Sequence, residues 1–162
     1  MKNLFLIISI CITIFSVPLN AAPSMKIEDT VVKLAIAEDV SFNDAVSSMK
    51  LRANQHNMKL VAELPLSKQI QSMGKKSRRM EIYQFCDALM AQNMVAANIH
   101  FAAYLPCRIA LVEDEKGKGW LLMMNLDIML QGATLSKSLR KNATKVRDIL
   151  MDIMDAGANG DL

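Results

Sequence analysis

The chain has 162 residues, of which 52% are hydrophobic and 22% charged, a length suited to one domain and a composition that excludes disorder as a whole-chain property. Its formal net charge of +3 is dispersed, too small to mark a nucleic-acid binder. Aromatics make up only 5% while methionines number 13, so a core of this size is filled mainly by Leu, Ile, Val, Ala and Met and needs no structural metal.

The first residues, Met1-Lys2-Asn3, precede an apolar run from Leu4 to Val17 and a small-residue exit, Pro18-Leu19-Asn20-Ala21-Ala22-Pro23. This is the anatomy of a signal peptide over residues 1–22. The run is short of the ~20 residues a membrane span needs, and Cys11 lies inside it behind Ile10, where a lipidation site needs a small residue. The expectation is an exported bacterial protein, periplasmic or secreted, touching the membrane only transiently through its leader, with residues 23–162 as one domain.

Along that domain, Thr30 to Ala37 is β-branched and reads as a strand. Ser41, with Asp44 three residues on, opens a helix carrying Phe42, Ala45, Val46, Met49 and Ala53 on one stripe. Met58 to Leu64 reads as a strand stopped by Pro65, Leu66 to Met73 is ambiguous, and residues 74–79 are a basic loop. Met80 to Cys86 is rich in strand formers. Asp87 then caps a helix expected to reach Phe101, apolar on two sides and therefore buried. Cys107 to Glu113 and Gly119 to Met124 flank the turn Asp114–Lys118 as a hairpin. Ser136 to Asp155 has Leu139, Ala143, Val146, Leu150 and Ile153 at helical spacing, with Gly157 and Gly160 ending it. The fold class is α+β: a small mixed or antiparallel sheet with helices packed on one face, plus a C-terminal amphipathic helix.

Catalytic motifs are missing from the sequence. It has no Gly-x-Ser-x-Gly elbow, no His-Glu-x-x-His and no phosphate loop. Asp114 and Glu115 sit in a turn where water should hold them near ordinary carboxylate behaviour. Methionine and histidine suit copper, but His100 lies off the Met90–Met94 face, Met123 and Met124 point to opposite sides of a strand, and His56 with Met49 is only two groups. Core filling is the reading for these methionines, and no cofactor or metal is expected. Lys75, Lys76, Arg78 and Arg79 read as a solvated loop. The last helix puts Lys137, Arg140, Lys141, Lys145 and Arg147 early and Asp148, Asp152 and Asp155 late, against its own dipole.

Three stretches together resemble the domain-of-unknown-function 302 family, small bacterial and archaeal α+β domains. They are Phe85-Cys86-Asp87, Leu105-Pro106-Cys107-Arg108 and Val112-Glu113-Asp114-Glu115-Lys116-Gly117. The order of elements agrees from about residue 30 to 127, leaving the tail helix outside. One departure is Asp87-Ala88, where members often have Asn-Pro. The resemblance implies a fold rather than a reaction, and it implies a homodimer.

Cys86 and Cys107 are the two thiols beyond the leader, and three readings stay open: a disulfide, two buried thiols, or a reactive or ligand-binding pair. A parallel crossover between their strands would hold them about 15–20 Å apart, beyond bridging distance; if bonded, they would close a loop worth roughly 3 kcal/mol. The functional expectation is a non-catalytic domain binding a small ligand or a protein partner at Cys86, Cys107 and Arg108, the arginine pairing with an anion. The alternative is a thiol-redox or metal-handling protein using Cys86 and Cys107.

Overall fold

The computed structural model describes residues 24–161; the leader expectation for residues 1–22, Cys11 included, lies outside them. Five strands form one antiparallel sheet in the order β1-β5-β4-β3-β2, with β1 Val31–Ala35, β2 Lys59–Leu64, β3 Met80–Cys86, β4 Cys107–Glu113 and β5 Gly119–Met124. Alternation along the strands gives the sheet two chemically different faces. Tyr83 and Phe85 of β3, Ile109 and Leu111 of β4, and Leu121 and Met123 of β5 are buried on one face. Against them pack α1 (Phe42–Gln55) and α5 (Lys137–Asn159). The helices therefore lie on one face, as expected.

Local signals set most boundaries. The Ser41 hydroxyl accepts the Asp44 amide at 3.1 Å and starts α1. The expected stripe is buried at Ala45, Val46, Met49 and Ala53. The hairpin between β4 and β5 turns at Gly117, whose φ of +79° suits glycine. Here the Asp114 carboxylate accepts the Lys116 and Lys118 amides and the Trp120 indole N–H. The indole bond, then the two amides, hold Asp114 below the usual carboxylate range despite its position in the turn. That corrects the expectation of ordinary behaviour there.

Several elements differ from the sequence reading. The ambiguous stretch forms α2, Leu66–Ser72, and Leu126–Gly132 forms α4 where no element was expected. The helix after Asp87, α3, stops at Ala97. Asn98 is extended there, and its side chain accepts the His100 amide to start a 3-10 turn over Ile99–Tyr104. This helix is not buried on two sides: Leu89 is 70% exposed, and Ala88 and Ala97 are exposed as well. The reason is that α1 and α5 already cover the sheet. What remains for α3 is a smaller cluster of Met94 and Phe101 with Leu130, Leu139 and Ala143.

The reversed charge order of α5 also finds its reason in tertiary partners. Arg140 donates to the Leu130 and Ala133 carbonyls at the end of α4, and Arg147 pairs with Asp127 at 2.7 Å. Asp152 meets Arg52 and His56 at the end of α1, each at 2.5 Å.

Gly157 lies inside α5 rather than ending it; the stop is Gly160, in the left-handed conformation. A Cβ on residue 157 would stand 2.5 Å from Met49 Cγ, 2.9 Å from Leu121 Cδ1 and 3.2 Å from the Ala45 carbonyl. Alanine is favoured over glycine in a helix interior by about 1 kcal/mol, but overpacking costs about 1–3 kcal/mol. Gly157→Ala is expected to lower the urea midpoint of unfolding despite its better helix propensity. A raised midpoint would show that the contact between α1 and α5 has slack.

Candidate functional site

The two cysteines meet because β3 and β4 are antiparallel neighbours. β3 ends at Cys86, the chain makes its excursion through α3 and the 3-10 turn, and β4 begins at Cys107 after the cis Leu105–Pro106 peptide. The register sets Phe85 opposite Cys107, so the excursion returns to the same end of the sheet it left. The wide separation that a parallel crossover would impose does not arise. Both cysteines are half-buried free thiols.

Cys86 and Cys107 share a partly enclosed apolar cavity of about 50 Å³. Met90, Ala91 and Met94 line it from α3, Leu126 and Met129 from α4, and Ala143 and Val146 from α5. It lies at the seam between the main core and the small cluster under α3. Leu105, from the family-like motif, lines it too. Arg108 does not join the thiols there. It is the next residue along β4, exposed, opposite Gln84, and strand alternation turns it to the other sheet face from Cys107.

The electrostatics favour protonated thiols. Burial, then the neighbouring Cys86, pushes the Cys107 thiol up to about 11. Burial, then the Asp87 carboxylate, raises Cys86. A helix N-terminus can lower a thiol pKa, but here Asp87 takes that position itself, accepting the Leu89 and Met90 amides at 3.1 Å each. The free donors of α3 are thus spent on a carboxylate, and its negative charge faces Cys86. This arrangement suits a protonated sulfur better than a nucleophilic thiolate.

Other sequence-marked groups fall elsewhere. His56 is engaged with Asp152, and His100 is exposed on the 3-10 turn. Lys75, Lys76 and Arg78 are exposed, whereas Arg79 bonds Asn43 at 2.8 Å and Glu81 at 3.0 Å. Tyr83 donates to the same Glu81 carboxylate. Burial pushes Glu81 up, but the bonds from Arg79 and Tyr83 outweigh it and leave the carboxyl below its ordinary range. The sequence reading overlooked this buried trio. Its signal was a glutamate in phase with Tyr83 and Phe85 on a strand. Met58 and Met129, which line the cysteine cavity, had no such signal, because nothing in their spacing ties them to either cysteine.

The family model described as "Domain of unknown function DUF302" matches residues 32–157. The match runs past Asp127 and takes in nearly all of α5, so the tail helix belongs to the family region rather than outside it. The crystal structure of an uncharacterized conserved protein DUF302 from Bacillus stearothermophilus is similar, with a TM-score of 0.65 at 15% identity. The alignment covers 78% of this chain and 97% of that one, and at this identity it speaks for the fold alone. No curated protein matches. Among the described residues, no helix is long and apolar enough to cross a membrane.

An ordinary cysteine is half ionised near pH 8.5 and almost fully ionised by about pH 10. Labelling of Cys107 by a disulfide reagent is therefore expected to keep accelerating above pH 10, and Asp87→Asn should move the Cys86 profile to lower pH. Peptide-resolved mass spectrometry after timed labelling checks both. A Cys107 rate that levels off by pH 10, as an ordinary thiol would, contradicts the burial argument.

Proposed function

The chain belongs to the DUF302 family, and on that premise we propose that it is an exported, non-catalytic domain that binds a small ligand in the cavity beneath Cys86 and Cys107. The observation that carries this reading is convergence. Cys86, Leu105 and Cys107, from two of the three family-like stretches, line one cavity although an excursion of α3 and a 3-10 turn separates them. Protonated thiols and the missing catalytic motifs favour binding over thiol chemistry. The leader pattern supports export. Arg108 is close enough in sequence to steer an anion toward this end of the sheet, though from the other face.

A cavity of about 50 Å³ is well below the ~300–1,000 Å³ of pockets for drug-sized ligands, so the occupant has few atoms. Xenon is a suitable probe, since dry apolar cavities accept it. Amide shifts in NMR under xenon pressure are expected at Cys86, Ala91 and Cys107. Ala91→Phe, which fills the cavity from α3, should abolish them. Undisturbed amides in the unsubstituted protein would remove the proposal.

A protein partner, in the form of a second copy, is favoured by a different observation. Ile82, Val112, Trp120 and Leu122 lie half-buried on the sheet face that α1 and α5 leave uncovered. Sedimentation equilibrium should show a dimer that Leu122→Lys dissociates; a monomer at all concentrations would exclude it.

A further inference from the structure

Sulfur is concentrated at this cavity. Six of its fourteen lining residues carry it: Met58, Cys86, Met90, Met94, Cys107 and Met129. They come from the approach to β2, the end of β3, two turns of α3, the start of β4, and α4. Met90 and Met94 are four apart on one helix, so both face the same way. Methionine packs irregular gaps well, but packing alone does not call for four thioethers to gather beside two thiols.

We infer that the cavity is a site for one soft monovalent cation, Cu(I), held by the sulfurs of Cys86 and Cys107 with methionine thioethers from α3 and α4. The inference rests on the cavity being the ligand site and names its occupant. Thiolate and thioether donors select Cu(I), whereas carboxylates and carbonyls suit harder ions. Among the described residues no three His, Cys, Asp or Glu side chains gather as a metal cluster, so thioethers must supply part of the donor set. That excludes a four-ligand zinc site, which draws on Cys, His, Asp and Glu. The volume of about 50 Å³ suits an occupant of one or a few atoms.

Charge decides the form of the complex. A bare cation in apolar surroundings is costly, and so is a surplus anion beside Asp87. If one thiol gives up its proton to water as Cu(I) arrives, a sulfur–copper bond forms as the S–H bond breaks, and the site stays neutral. The second thiol and the thioethers add donors without adding charge. No electron is transferred.

Purified protein, kept reduced and free of oxygen, is titrated into Cu(I) held by bicinchoninate. The expected result is removal of one copper per chain, with a sulfur-only shell in X-ray absorption. Cys86→Ser and Cys107→Ser should each weaken retention. The paired substitution Met90→Leu and Met129→Leu, which preserves apolar volume, should weaken it by at least about tenfold, the loss that follows removal of even an outer-shell partner, while leaving the thermal midpoint close to the original. Because metal binding displaces a proton, affinity should rise about tenfold per pH unit between pH 6 and 8. Failure to take copper from the competitor would overturn the inference, as would retention indifferent to the methionine pair, oxygen or nitrogen ligands in the shell, or a hundredfold rise per pH unit. Copper failing while xenon still enters would remove the metal and leave the ligand site standing. Failure of both would remove both.

Discussion

The antiparallel register of β3 against β4 is the constraint on which the site depends. Phe85 stands opposite Cys107, so the chain that leaves the sheet after Cys86 must come back to the end of the sheet it left. That one pairing determines that the two thiols share a neighbourhood. It also leaves a loop of helix, 3-10 turn and cis-proline at this end of the sheet. The main core then finishes the arrangement: α1 and α5 occupy the buried face, and the excursion has to find its own apolar partners beyond them.

Those partners are few. Met94 and Phe101 meet Leu130, Leu139 and Ala143 in a second cluster, and the seam between it and the main core is not closely filled. Protein interiors approach the density of organic crystals, so a cavity that takes its walls from two clusters is a place where packing has stopped short. Methionine suits such a seam, because its unbranched side chain adapts to irregular gaps. The same residues bring polarisable sulfur beside the two thiols, adding to the methionines of the main core, Met49, Met123 and Met154.

Charged groups hold the surrounding frame. Arg79, Glu81 and Tyr83 form a bonded trio at the far end of β3 from the cysteines, where a lone buried carboxylate would be costly. On α5 the basic residues come first and the acidic ones late, because Arg140 and Arg147 serve α4 while Asp152 serves the end of α1. Partners within bonding distance outweigh a helix dipole worth a few tenths of a kcal/mol to ~1 kcal/mol at the surface.

The sequence by itself determined the α+β class, all five strands, the caps at Ser41 and Asp87, the hairpin and the family. These depend on short-range periodicity and on side chains that bond amides two or three residues away. It misjudged the burial of α3 and took Gly157 for a helix end, since neither follows from local pattern: one depends on which helices already cover the sheet, the other on how near α1 approaches. It read the scattered methionines as core filler and separated them from the cysteines, because spacing carries no record of which distant segments meet. Only the tertiary structure put Met58, Met90, Met94 and Met129 around Cys86 and Cys107 and turned Arg108 to the other face. Strand register and helix packing decide which side chains converge, and both are set by contacts between residues far apart in the chain.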